Sequence, residues 1–363
     1  MKRIFFTVTN DLSFDQRMHR ICDSLAKAKF DVCLVGRKQK GSLPLRKRSY
    51  EQKRISCLFN SGFLFYAEYN LRLFFFLLRR RMDGVCAIDL DTILPCLFAS
   101  RIKRVTRIYD AHEYFTELKE VRTRPFVQRC WRSIERYCVP KFAYGYTVGQ
   151  GLANEYKNRY DRDYIVIRNL PVLRELEVVE KKDKFILYQG AVNEGRGFEY
   201  LIPALRQLDY NLVVCGDGNF MRRLKRLLRK YRVQEKVELM GMLRPEHLLP
   251  IAQRATLGIA LAEKEGLNQY LALPNKFFDY MHAGLPQLSM AYPEYEKINN
   301  QFKVAVLISE LSAKEVSETI RGIMNNEELL QEMRNNCLKA REIYCWQEEE
   351  KILLNYYRQI FED

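Results

Sequence analysis

Lys276 sits in the run Pro274-Asn275-Lys276, just ahead of a short stretch, 277–283, whose apolar spacing is helical. A cation in the first turn of a helix adds a full charge to unpaired backbone N–H groups and the positive end of the dipole, and together these attract an anion. Asp279, one turn in, is placed to accept hydrogen bonds from sugar hydroxyls. Glu263 and Glu265 stand just upstream, at the end of the apolar run 257–261. A diphosphate beside a ribose would satisfy both the cation and the acid. A capped helix carrying a surface lysine explains the same residues without chemistry.

Five other segments fall where strands end and helices begin. Residues 188–197 read YQGAVNEGRG, with Gly190 in the loop and Arg196 where a helix starts, so the guanidinium can clamp a phosphate bidentately. Gly216-Asp217-Gly218 follows another strand and permits close approach of the backbone to a ligand. His112, in Tyr109-Asp110-Ala111-His112-Glu113, can bond a sugar hydroxyl, move a proton, or serve as a structural histidine. After the first strand, Asn10 and Asp15-Gln16-Arg17 open a helix, with Asp15 as its natural N-cap. Arg17 offends the dipole at that end, which marks it as a candidate anion or acceptor contact. Asp89-Leu90-Asp91 can hold a divalent cation, contact an acceptor or cap a helix. Arg196 and Lys276 already suffice to neutralise a diphosphate, so acceptor contact or capping is favoured and no metal is expected.

Alternating strands and helices must position these residues. Strands are expected at 2–9, 31–36, 84–88, 107–109 and 144–148, with a helix at 15–29 and a basic loop at 37–54. A charged linker is expected at 174–184. A second alternation follows: strands 185–189, 211–215, 236–239, 257–261 and 287–290, and helices 197–207, 221–231 and 247–254. The fold class is therefore α/β, with two Rossmann-like, doubly wound parallel-sheet domains, 1–170 and 171–345. Such sheets bind ligands at the carboxyl ends of their strands, so a shared site in the cleft between the domains is expected. The amphipathic tail, 346–363, is expected to return and brace the first domain, with Trp346 as a packing anchor.

The chain has 363 residues and a net charge of +15. The first 170 residues hold 33 Lys and Arg against 17 Asp and Glu, whereas the remainder holds 27 against 28. Only the first half thus suits an extended anionic partner, a membrane surface or a nucleic acid. No aromatic-basic RNA motif, zinc finger or recognition-helix signature supports nucleic acid. Residues 63–81, FLFYAEYNLRLFFFLLRRR, either lie at an anionic membrane surface or form a buried helix with a basic end. Neither this segment nor the short run at 4–9 is long enough to span a bilayer or act as a signal peptide. A cytoplasmic location is expected, with peripheral attachment to the inner face of the cytoplasmic membrane as an option. The ten cysteines, without metal-ligand spacing, read as reduced core residues.

Taken in order, these blocks resemble glycosyltransferase family 4, the retaining GT-B enzymes that move a sugar from a nucleotide sugar. DAHEYF and YTVGQGLANEY carry the resemblance in the first half; YQGAVNEGRGFEYLIPAL, LVVCGDGN, VELMGMLRPEHLLPIAQRATLGIAL and LPNKFFDYMHAGLP carry it in the second. The resemblance implies an acceptor-binding first domain and a second domain for a UDP- or GDP-linked sugar. It makes Arg196 the diphosphate contact, Asp279 the ribose contact, and Glu263 or Glu265 the acid near the donor sugar. Gly241, Met242 and Leu243 would lie along the base, His112 would be the active-site histidine and Arg17 the acceptor-side arginine. Three departures stand out: Ala191 replaces a second phosphate-binding arginine, Asp279 is shorter than the usual glutamate, and the spacing between the two acids is longer than common. The implied acceptor is a glycan or a lipid-diphosphate-linked sugar, in bacterial surface polysaccharide such as lipopolysaccharide or capsule. A sugar-nucleotide epimerase of the same fold is the alternative, and a nucleic-acid-binding protein a more distant one.

Overall fold

The computed structural model describes residues 1–13, 15–176 and 184–362. It divides into two units: Met1–Asn169 with Glu349–Asp363, and Leu170–Glu348. The first unit holds seven strands: β1 (Arg3–Thr7), β2 (Asp31–Lys38), β3 (Glu51–Ser56), β4 (Gly84–Ile88), β5 (Thr106–Ala111), β6 (Tyr144–Thr147) and β7 (Ile165–Val166). The second holds six: β8 (Phe185–Gln189), β9 (Asn211–Cys215), β10 (Val237–Gly241), β11 (Leu257–Ala260), β12 (Gln287–Met290) and β13 (Ala305–Ile308).

Both sheets are parallel throughout, in the orders β3-β2-β1-β4-β5-β6-β7 and β10-β9-β8-β11-β12-β13. The central strands read as apolar runs because helices cover both faces: Ile4, Phe5 and Phe6 of β1, and Ile186, Leu187 and Tyr188 of β8, are fully buried. Strand order reverses between β1 and β4 in one sheet and between β8 and β11 in the other. Those switch points are where doubly wound sheets open a crevice.

Three strands depart from the expectation. β3 lies inside and beyond the segment read as a basic loop. Its sequence, EQKRIS, pairs with β2 at the sheet edge and stays largely solvated, so it needs no apolar alternation. β7 has two residues, and β13 is a terminal strand paired only with β12. Much of the expected linker, 177–183, lies outside the described residues. The helix Gly62–Leu78 covers most of 63–81: Phe65, Tyr69, Leu73 and Leu77 are buried at helical spacing, while Phe63, Leu64, Leu71 and Phe75 are exposed. The tail helix, Trp346–Phe361, buries Trp346, Leu353 and Tyr357, and Tyr357 meets Phe6 and Phe30 in the first unit.

Candidate active site

In the second unit the loops leaving β8, β9 and β11 are laced together by their backbones. Gly190 N donates to Cys215 O, Val192 N to Asp217 O, and Glu263 N to Gly195 O. Gly216 lies so close to Gly190 that a Cβ there would come within 1.8 Å of the Gly190 carbonyl oxygen, so no larger residue fits. Gly190 itself has φ +118°, open to glycine at little cost.

The helix Asn275–His282 ends in this cluster. No side chain caps its N-terminus, where Pro274 holds extended backbone. Lys276 points back into the loops and is 8% exposed, with its ammonium 3.6 Å from the centre of the Tyr188 ring. Among the described residues Nζ has no hydrogen-bond partner. Burial holds its pKa well below the ordinary lysine value, the positive charge of Arg196 adds to the effect, and Asp279 opposes it. A buried ammonium beside glycine backbone, with a second cation acting on it, is an arrangement chemically suited to an anion.

Gln189 Nε2 donates to Asp279 Oδ2 at 3.0 Å, and the Tyr280 hydroxyl accepts from Gln189 N at 2.8 Å. Asp279 is thereby aimed across the end of β8. The two upstream glutamates diverge. A methyl group on Gly195 would sit 3.6 Å from Glu265 Oε2, whereas Glu263 bears electrostatically on Tyr292. Gly241 ends β10 beside the strand that carries Gly216; Met242 is 79% exposed and Leu243 packs against the core. Asn275 is exposed at the helix start.

In the first unit a buried triad sits at the end of β5. Asp110 and His112, two apart, lie on one side of the chain, as strand alternation requires. Asp110 Oδ1 accepts from Arg17 NH2 at 3.1 Å, and Arg17 NH1 donates to Ile167 O at 3.1 Å. His112 Nε2 lies 2.8 Å from both Asp110 Oδ2 and Arg17 Nε, so one ring nitrogen is contested by an acceptor and a donor. Burial works against the charge on His112, but the Asp110 carboxylate outweighs it and raises the pKa. Burial would likewise raise Asp110, but Arg17 and His112 hold it below the usual carboxylate range.

Arg17 therefore tolerates the dipole because Asp110 neutralises it. Its donors reach Asp110, His112 and the Ile167 carbonyl, so it helps to fix the His112 ring. Asp15 likewise acts locally, accepting from Met18 N at 3.1 Å as the cap of the helix Gln16–Lys27.

Asn10, Asp89 and Asp91 meet at the switch point between β1 and β4, lining a common cavity. Asp89 Oδ1 accepts from His112 N at 2.8 Å, and Asp91 Oδ2 from the Thr9 hydroxyl at 2.5 Å. Burial pushes Asp89 up to about 7 and Asp91 to about 6. Among the described residues no cluster of three or more His, Cys, Asp or Glu forms a metal site.

Since Asp89 holds its proton to about pH 7 when folded and ordinarily loses it near 3.8, the folded chain binds more protons across that window. Its contribution to stability is fullest below pH 4 and is lost as pH rises through 7. Asp89→Asn is expected to flatten this part of the stability–pH curve, as denaturant titrations from pH 4 to 8 will show.

Gln189, Tyr188 and Asp110 carry no local signature of their roles. Only Asp110, two residues before His112 on a strand, was open to inference from spacing.

Residues 172–340 match the family model described as glycosyl transferases group 1. The matched segment, 169 of the chain's 363 residues, contains the lysine, the glycine loops and the acids described above. Across 226 residues the chain is 22% identical to an uncharacterized glycosyltransferase, MJ1178, of Methanocaldococcus jannaschii, covering 62% of this chain and 58% of that one. Over 70 residues, 19% of each chain, it is 37% identical to the N-acetylgalactosamine-N,N'-diacetylbacillosaminyl-diphospho-undecaprenol 4-alpha-N-acetylgalactosaminyltransferase of Campylobacter jejuni. The chain thus spans less than two-thirds of the length of the curated relatives it matches. Among solved structures, Anabaena Alr3699/HepE in complex with UDP and glucose superposes with a TM-score of 0.78 at 11% identity, covering 99% of this chain and 100% of that one. The matched segment and the unit before it share the GT-B fold.

Proposed function

We propose that the chain is a retaining glycosyltransferase that moves a sugar from a UDP- or GDP-linked donor to a glycan or lipid-diphosphate-linked acceptor in bacterial surface polysaccharide assembly. The observation that carries this reading is Lys276, a buried ammonium without a hydrogen-bond partner among the described residues, set among glycine loops of the segment that matches the group 1 model. In the proposed nucleotide-sugar-binding domain, residues 171–345, Lys276 and Arg196 stabilise charge growing on the leaving diphosphate, and Gly190, Gly216 and Asn275 let the backbone approach it. Asp279, aimed by Gln189, bonds the ribose. Gly241, Met242 and Leu243 flank the base. Glu265, beside the Gly195 loop, is the acid closer to the donor sugar, with Glu263 behind it.

The first unit, residues 1–170 with the tail, takes the acceptor: Asn10, Asp89 and Asp91 line its cavity, and His112, oriented by Arg17, bonds a hydroxyl. No protein nucleophile and no metal is assigned. HepE is described as binding UDP, and the Campylobacter relative is named for a lipid-linked diphosphate acceptor, which supports the substrate class.

Incubation with a panel of nucleotide sugars, alone and with lipid-linked acceptors, tests the reading. Consumption that requires an acceptor is expected. Interconversion of the nucleotide sugar alone would favour an epimerase.

No helix among the described residues is long and apolar enough to cross a membrane. Leu64, Leu71 and Phe75 of Gly62–Leu78 are nonetheless exposed, as are Phe98 and Ile102 of the adjoining helix Ile93–Lys103, with Arg79, Arg80 and Arg101 beside them. This apolar, basic-edged face is proposed to rest on anionic lipid at the inner face of the cytoplasmic membrane. In flotation assays the protein is expected to rise with vesicles containing phosphatidylglycerol and to do so less as salt increases. Absence from both anionic and neutral vesicles would overturn this part.

A further inference from the structure

A cavity of about 360 Å³ opens at the carboxyl ends of β1 and β4. One wall is aromatic: the Trp131 indole is flanked edge-on by Phe115 at 4.9 Å and Tyr66 at 5.3 Å. The lining is also acidic, with Asp89, Asp91, Glu113 and Glu120 against a single guanidinium, Arg124. Asp91 is 8% exposed; Thr9 holds its Oδ2, and Oδ1 is buried without a hydrogen-bond partner among the described residues. A buried carboxylate oxygen in a cavity wall, lacking a donor from the protein, calls for a donor from a ligand.

Building on the transferase reading, we infer that this cavity takes one uncharged sugar ring, the terminal residue of the acceptor, and rejects anionic sugars. The ring's C–H face lies against the indole, whose π face is electron-rich. Its hydroxyls donate to Asp91 Oδ1 and to Asp89. The volume is at the low end of the roughly 300–1,000 Å³ typical of ligand sites, enough for a short terminus and not for an extended glycan. A uronate would bring its carboxylate among these acids, whose charge is fullest above pH 7, in a partly enclosed space where little solvent screens the repulsion. The acceptor's diphosphate is excluded for the same reason and stays outside, where the first half of the chain is net positive.

The chain has two tryptophans, and Trp346 is buried and does not line this cavity, so Trp346→Phe leaves Trp131 as the sole reporter. The full chain with that change is titrated with methyl glycosides of neutral hexoses and N-acetylhexosamines and with a methyl hexuronide, following Trp131 emission. A saturable change with a neutral glycoside is expected, with the hexuronide at least about tenfold weaker. Asp91→Asn should narrow that gap by about threefold or more, as one repelling charge is removed. Binding of the hexuronide as tight as the best neutral glycoside, or no response to any neutral glycoside, overturns the inference. The readout needs neither nucleotide nor turnover. Failure here with nucleotide-sugar transfer intact defeats only the cavity assignment, whereas glycoside binding without any nucleotide-sugar consumption defeats the transferase reading.

Discussion

Lys276→Met is expected to lower turnover by about 10²-fold or more while leaving the unliganded protein as stable as before, or more so. The loss follows from removing a charge aimed at the leaving diphosphate, where deletion of one such donor typically costs about 10²–10³ in rate. The stability result has the opposite sign because the ammonium is buried with no hydrogen-bond partner and its charge is already disfavoured by burial and by Arg196. Methionine matches the stem against Tyr188 without the desolvated charge, so a gain of up to about 2 kcal/mol is in range. Arg196→Ala, which removes the second cation, should also cost about 10²-fold or more in kcat. Steady-state kinetics on any donor turned over, paired with denaturant unfolding, checks both halves. A structural lysine would lose stability on substitution and leave turnover nearly unchanged.

Asp110→Ala carries the largest expected cost to stability. Asp110 is fully buried and its carboxylate neutralises Arg17, itself 5% exposed, while also holding His112. Removing one partner strands a buried guanidinium, which costs about 3–5 kcal/mol. Urea unfolding of the variant at pH 7 measures this. A loss below about 1 kcal/mol would mean that Arg17 finds another partner or water, and that the triad does not fix His112. Asp110→Asn, which keeps an acceptor for Arg17, should lose less stability while disturbing His112, whose raised pKa depends on the carboxylate.

Much of the second unit was legible because its strands are buried on both faces. β8 and β9 are largely apolar runs bounded by turn residues, and their ends, like those of β12, coincide with those expected from the sequence. Edge strands gave no such signal: β3 is charged and solvated, and β7 has only two residues. For the site, the cation at a helix start marked Lys276, and the misfit with the dipole marked Arg17. What Arg17 touches was hidden, since Asp110 lies 93 residues away and nothing local announces the pair. Gln189, which aims Asp279 from 90 residues upstream, and Trp131, in the helix Pro125–Cys138, are defined by tertiary packing alone.

Calorimetric titration of the whole chain with UDP and with GDP, repeated on Lys276→Met and Arg196→Ala, tests the nucleotide-sugar site most directly. Saturable binding of at least one nucleoside diphosphate by the natural chain is expected, weakened at least about tenfold in each variant by loss of a charge-assisted phosphate contact. Binding unchanged by either substitution, or no binding of any nucleoside diphosphate, would contradict the assignment of Lys276 and Arg196 to the donor.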